Sequence, residues 1–265
     1  MPEVAPLQPG DPASIGGYRL TGRLGEGGQG VVYLGTGPNL ETVAVKLLSA
    51  HLDGMARQRF VREAAATKRV ARFCTVQVLD ADLEGDRPYI VSEYIPGPSL
   101  AEYVTADGVM SGGALERLAI GTLTALAAIH TAGVVHRDFK PHNVILGPDG
   151  PRVIDFGIAK ALDTAASSTV PSGVIGTPAY MAPEQIRGMA LGTPADVWAW
   201  ASTIVFAATG VPPFGTDSIP TVVGRILHAD PNLGSLAAPV RDQVADALGK
   251  GPAQRPSPHD LLMPL

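Results

Sequence analysis

Residues 133 to 146, GVVHRDFKPHNVIL, set His136, Arg137, Asp138, Lys140, His142 and Asn143 between two apolar runs, Val134-Val135 and 144–146. Charge and hydrogen-bonding capacity are rarely concentrated like this between segments built to be buried. Three further stretches could do chemistry. GEGGQGVV, residues 25–32, carries Gly25, Gly27, Gly28 and Gly30, so its backbone can approach something bulky and anionic with N–H groups turned inward. VAVK puts Lys46 inside an apolar strand, where a lysine needs a carboxylate partner or an anionic ligand. Glu63, in FVREAAA on the helix that follows, is the obvious carboxylate. DFG releases Asp155 from the apolar pair Val153-Ile154 into a glycine turn, a good place for a hard metal ion. Alone, each has an ordinary explanation: a glycine hairpin, a lysine snorkelling from an edge strand, a solvated helix face and a common Asp turn.

The elements that must hold these groups divide in two. Short β-rich runs at 18–24, 31–35, 42–48, 76–79 and 89–94 are separated by Gly or Pro turns. Between them, 55–70 has the spacing of a helix, with Met55, Phe60 and Val61 on its apolar face. Ile95-Pro96-Gly97-Pro98 continues neither strand nor helix and reads as a connector. Beyond it, 114–131, 193–209 and 238–248 read as helices. This predicts an α+β chain of two lobes: a loose N-terminal arm (1–17), a strand-rich lobe (18–95) and a larger helical lobe (96–265), with a ligand cleft between the lobes. A dinucleotide fingerprint shares the glycine spacing but leads into a helix, whereas a strand follows here.

Composition narrows the class. The chain has 265 residues, 45% hydrophobic, with a formal net charge of −5. That composition is globular and gives no sign of a basic face for nucleic acid. The single cysteine, Cys74, excludes an internal disulfide and fits a reducing compartment. The first 17 residues lack the basic start and apolar core of a signal peptide. The longest apolar stretch, 197–214, is interrupted by Ser202, Thr203 and Thr209, and we read it as a buried core helix rather than a membrane segment.

Taken together, the glycine loop, strand lysine, helix glutamate, HRDFKPHN, DFG and APE (Ala182 to Glu184) occur in one order at workable spacings. In that set the chain resembles the protein kinases, from about Tyr18 to Pro256. Lysine two residues after the aspartate of HRDFKPHN resembles the Ser/Thr branch. RFVREA, DFGIAK, GTPAYMAPEQ and PADVW are most similar to the eukaryotic-type Ser/Thr kinases of bacteria.

The resemblance implies a bilobal kinase fold and transfer of the γ-phosphate of ATP to Ser/Thr hydroxyls of proteins, with Mg²⁺, or Mn²⁺ in its place. Asp138 would orient the hydroxyl and accept its proton, and Lys140 would sit on the γ-phosphate. Asn143 and Asp155 would hold the metal. Lys46, paired to Glu63, would bind the α/β-phosphates. The backbone from Gly25 through Glu26, Gly27, Gly28 and Gln29 to Gly30 would cradle the phosphates. Leu24, Val32, Ala44 and Ile145 would enclose the adenine, and the backbone of Glu93 and Ile95 would bond its edge. The runs at Val134-Val135 and 144–146 would form short strands anchoring the catalytic loop. His136 is a structural residue near Phe156. His142 departs from the small residue usual there and receives no role. Ser92 replaces a bulkier family residue behind the adenine pocket.

Further expectations follow from the same resemblance. Glu184 would pair with Arg255 in GPAQRPS, and Asp196 would accept backbone N–H bonds of the catalytic loop. Self-phosphorylation is expected between DFG and APE, at Thr169, with Arg137 as the phosphate's partner and with a homodimer for the transfer between copies. Ala201 and Gly251 stand where the family usually has glycine and aspartate. The short segment 217–240 implies a trimmed helical lobe. The chain stops nine residues after Pro256, as a catalytic domain of a longer protein would. A cytoplasmic location is expected, including as the cytosolic part of a membrane-anchored protein, with no nucleic-acid partner and no membrane segment within this chain. Two other functions fit the fold: a nucleotide-binding pseudokinase scaffold, and a kinase-fold enzyme acting on a small molecule. The presence of Lys46, Asp138 and Asp155 argues against the first, and APE with GTPAY against the second.

Overall fold

The computed structural model describes residues 4–27, 30–49, 75–82, 87–155 and 178–265. A six-stranded antiparallel sheet forms the first lobe: β1 (Ser14–Ile15), β2 (Tyr18–Gly27), β3 (Gly30–Thr36), β4 (Thr42–Leu48), β5 (Val78–Asp82) and β6 (Tyr89–Glu93), in the order β1-β2-β3-β4-β6-β5. Its core is the face carrying Tyr18, Leu20, Tyr33, Val43, Val45, Tyr89 and Val91. In β4, Val43 and Val45 are fully buried on this face, so the alternation of a strand sends Ala44 and Lys46 to the other. The helix expected at 55–70, with Glu63, lies outside the described residues.

The second lobe comprises α1 (Leu100–Asp107), α2 (Gly112–Thr131), the hairpin β7 (Val144–Gly147) and β8 (Gly150–Val153), α3 (Pro183–Ile186), α4 (Thr193–Thr209), α5 (Ile219–His228), α6 (Val240–Ala247) and α7 (Pro258–Leu262). α4 is its centre. It is apolar on all sides because it is surrounded: Trp198, Trp200, Ala201 and Ile204 are all fully buried. Pro194 opens α4 and Gly210, left-handed at φ 76°, closes it. α2 packs Leu118, Leu123, Leu126 and Ile129 into the same core. By length and composition α2 could also cross a membrane, but its apolar face is the one spent on this core.

The structure departs from the sequence expectations at several points. Residues 4–17 are not a loose arm: Ala5 and β1 pair with β2, and the Asp11 carboxylate holds Arg23. Val134-Val135 forms no strand with any of the described residues, although Val134 is buried. The helix expected at 238–248 begins only after Pro239. The segment 217–240 carries α5, which is not among the expected helices although Ile219, Val222, Val223, Ile226 and Leu227 follow helical spacing.

Candidate active site

The site is assembled from strand ends. Asn143 closes a short 3₁₀ turn, and β7 follows it directly. β7 pairs with β8, which delivers Asp155 two residues past its end. Ile154 N–H donates to the Asn143 carbonyl at 3.0 Å, which ties these two polar positions together. Asp155 sits at φ 57°, a left-handed conformation that Asp tolerates better than most residues. Its carboxylate meets Lys46 Nζ at 2.8 Å, joining the sheet lobe to the helical lobe.

Asp138 lies at the centre of the catalytic loop. Lys140 Nζ donates to its Oδ2 at 2.8 Å, and Asn143 Nδ2 donates to its backbone carbonyl at 2.8 Å. The loop is pinned from beneath by Asp196 in the first turn of α4, as expected. Its carboxylate accepts from the N–H of His136 at 2.7 Å and of Arg137 at 2.8 Å. Arg137 is left-handed at φ 66°, so this anion fixes a strained turn. His130, on the last turn of α2, lies 2.8 Å from the same carboxylate through Nε2. Sequence reasoning missed His130, because it lies 66 residues from Asp196 and only the packing of α2 on α4 joins them.

His136 is structural, as expected. It is 1% exposed, meets Phe139 edge-on, accepts the Asp138 N–H through Nδ1 at 3.3 Å and bonds the Ile154 carbonyl through Nε2 at 3.1 Å. Burial holds its pKa below the ordinary histidine value. Phe156 lies outside the described residues. His142, also shifted downward by burial and then by the Lys140 charge, lies on the exposed side of the turn.

The apolar positions expected around an adenine share one property: Leu24, Val32, Ala44, Ile95 and Ile145 are each half-exposed, and so is Glu93. Pairing aligns Val32 with Lys46 and Ala44 with Ser92. The connector approaches β7 closely enough that Leu146 N–H donates to the Pro98 carbonyl at 2.9 Å. A Cβ on Gly97 would collide with the Leu146 carbonyl, so only glycine fits there. The Glu93 N–H is taken by the Gln77 carbonyl, which leaves the Glu93 carbonyl as what it could offer a ligand.

The glycine run divides in its reasons. A Cβ at Gly25 or Gly27 would meet nothing, whereas one at Gly30 would strike the Leu47 carbonyl on β4. Gly30 is therefore demanded by the sheet, and Gly25 and Gly27 keep open space before the strand. Glu26 is exposed and bonded to Arg23, while Gly28 and Gln29 lie outside the described residues.

Below the site, Arg255 forks onto Glu184 as expected: Nη1 reaches Oε1 at 2.7 Å and Nη2 reaches Oε2 at 2.8 Å. Both are buried, and Arg255 also bonds the Pro194 and Gly249 carbonyls.

Comparison with known proteins adds to this geometry. "Probable serine/threonine-protein kinase PkwA" of Thermomonospora curvata is 46% identical over 99% of this chain, and the match covers 35% of that protein. Serine/threonine-protein kinase AfsK of Streptomyces coelicolor is 42% identical over 95% of the chain and 32% of that protein. Serine/threonine-protein kinase Pkn1 of Myxococcus xanthus is 35% identical over 91% of the chain and 36% of that protein. The chain thus spans about a third of the length of these relatives. The protein kinase domain model matches residues 18–263, from the first long strand of the sheet lobe through the last helix, and takes in every element that brings Lys46, Asp138 and Asp155 together. This chain belongs to the protein kinase domain family.

Proposed function

We propose that this chain is a serine/threonine protein kinase that transfers the γ-phosphate of ATP to hydroxyls of proteins. The observation that carries this reading is the meeting of Lys46 with Asp155, beside a loop that holds Asp138, Lys140 and Asn143 in hydrogen-bond contact. The donor set fits a hard divalent cation: a carboxylate at Asp155 and a carboxamide at Asn143 offer oxygen, with no sulfur or imidazole among them. Mg²⁺, or Mn²⁺ in its place, would be held by these two residues, with ATP beneath Leu24 and along Gly25–Gly30.

Bound Mg²⁺·ATP supplies the phosphoryl group and part of the charge that offsets its oxygens. Asp138 holds the attacking hydroxyl and takes its proton as the new O–P bond forms and the bond to the leaving diphosphate oxygen breaks. Lys140, already on Asp138 Oδ2, keeps that carboxylate oriented and lends its charge to the transferring group. Lys46 would bind phosphate oxygens and Asp155 would hold the metal. Asp196 keeps the loop backbone fixed throughout. In the same reading Arg137 would bind a phosphate on the activation segment, whose Thr169 lies outside the described residues. Self-phosphorylation there, between two copies of the chain, belongs to the same reading, as does a cytoplasmic location with its ATP and reducing conditions.

Radioactive phosphate transfer with Mg²⁺ and ATP, offered a generic basic protein and an aminoglycoside in parallel, tests the proposal. Label on serine and threonine of the protein alone supports it. Label on the aminoglycoside alone, or nucleotide binding without transfer, overturns it.

A further inference from the structure

Residues 4–15 run back along the outer edge of β2. Ala5 and Arg23 exchange both backbone bonds, Ala5 N–H to the Arg23 carbonyl at 3.0 Å and Arg23 N–H to the Ala5 carbonyl at 2.8 Å. Leu20 N–H donates to the Ala13 carbonyl, and β1 pairs Ser14 with Arg19. The strip covers an edge that would otherwise present unpaired backbone. At Gly22 a Cβ would strike both Val4 and the Ala5 carbonyl, so glycine is what lets the strip lie this close.

Its side-chain anchor is Asp11. This carboxylate accepts from Arg23 Nε at 2.8 Å, Arg23 Nη2 at 2.7 Å, Tyr33 Oη at 2.8 Å and the Gln8 N–H at 2.7 Å. The Asp11 side chain is only 5% exposed. The third guanidinium nitrogen of Arg23, Nη1, reaches Glu26 Oε2 at 2.8 Å, inside the glycine-rich stretch. The fork therefore connects residue 11 to residue 26 through one planar cation.

The gripped stretch is irregular. The β2–β3 register slips between Leu20 and Gly22 and again between Arg23 and Gly25, which leaves Thr21 and Leu24 as extra residues. Such bulges re-aim side chains beside functional sites and need something to fix them. Arg23 lies between the two slips with its backbone on Ala5 and its side chain on Asp11 and Glu26.

We propose that residues 4–15 are a positioning strap for the nucleotide loop and that Asp11 is its positioning residue. Asp11 fixes Arg23, and Arg23 fixes the bulge that aims Leu24 and the backbone leading into Gly25–Gly30. This rests on the nucleotide reading of the site. Asp11 bonds Arg23, Tyr33 and Gln8, none of them a residue assigned to nucleotide or substrate, and acts through Arg23.

Asp11→Ala and the isosteric Asp11→Asn are the variants to compare with the unmodified chain. Asp11→Ala should raise both the Kd of a fluorescent ATP analogue and the KM for ATP by about five- to tenfold, the low end of coupling between sites. Asp11→Asn should fall between. The KM for protein substrate and kcat at saturating ATP should stay within about twofold in both, the split expected when only nucleotide binding is lost. Amide hydrogen exchange of residues 22–27 in the nucleotide-free protein should be faster in both variants. If Asp11→Ala does not fold, Asp11→Asn decides by the same measures. Unchanged ATP affinity with unchanged exchange overturns the proposal. So does a loss spread equally over kcat and both KM values, which is general damage. An unmodified chain that binds no nucleotide fails the reading of the site instead, and the exchange measurement still judges the strap.

Discussion

Lys46 and Asp155 stand 109 residues apart in the chain and 2.8 Å apart in space, one from the middle of a sheet strand and the other just past a hairpin. The pair joins the two lobes, and in the proposed reading it supplies the cation and the carboxylate that an anionic ligand and its metal would need. Lys46→Met and Asp155→Ala should therefore each lower the transfer rate by at least about a hundredfold, the usual loss for one electrostatic group acting on developing charge. Lys46→Met should also weaken ATP binding. Steady-state kinetics with calorimetric ATP titration checks this, and wild-type rates in either variant would remove the pair from the site.

The Glu184–Arg255 fork predicts a stability effect remote from the chemistry. Removing one partner strands a buried charge, so Arg255→Ala should cost about 3–5 kcal/mol in urea unfolding. Arg255→Lys should recover little, because lysine lacks the planar fork that bonds both carboxylate oxygens. A loss below about 1 kcal/mol, the scale of an exposed pair, would contradict the burial seen here.

His136 predicts a pH effect of defined sign. Burial keeps the folded-state pKa below the unfolded value near 6.5, so only the unfolded chain takes up a proton in the window below that value. This contribution to stability is complete above about pH 6.5 and is lost as pH falls toward the folded pKa. His136→Asn should flatten the fall in Tm between about pH 7 and 5 relative to the unmodified chain. An identical slope in both proteins would show that His136 does not titrate on unfolding.

Ser92 is half-buried and paired with Ala44 in β4 and Val78 in β5, and the helix expected at 55–70 lies outside the described residues. Ser92→Met should weaken ATP-competitive compounds with a bulky aryl group by about 1–3 kcal/mol, the scale of overpacking, while slim hinge binders and ATP change little. Equal losses for bulky and slim compounds, or none for the bulky one, would show that no usable space lies behind the connector.

How much was legible in the sequence follows from the range of the interactions. The lobes and their strands were, because apolar alternation and Gly/Pro turns are local signals; the limits of β4 and α4 coincide with the expected 42–48 and 193–209. Glu184–Arg255 and Asp196 were legible only through the family resemblance, since nothing in their spacing pairs residues about 60 to 71 positions apart. His130 and the Asp11–Arg23 fork were not. The proline- and glycine-rich run around Asp11 reads as a loose arm by composition, and only the docked edge of β2 shows what it does. Val134-Val135 is strand-like by type, and Val134 is buried, but the run has no ladder among the described residues.

The central claim is that Asp138 receives the proton of a protein hydroxyl while the rest of the site binds Mg²⁺·ATP. The most direct measurement is intact mass spectrometry and labelled-phosphate transfer to a basic protein, run on the unmodified chain and on Asp138→Asn, with ATP affinity measured on both. The account predicts added phosphate on serine and threonine from the unmodified chain, and a loss of at least about a hundredfold in Asp138→Asn with ATP affinity nearly unchanged. Wild-type transfer by Asp138→Asn, or an unmodified chain that binds ATP and transfers nothing, would contradict it.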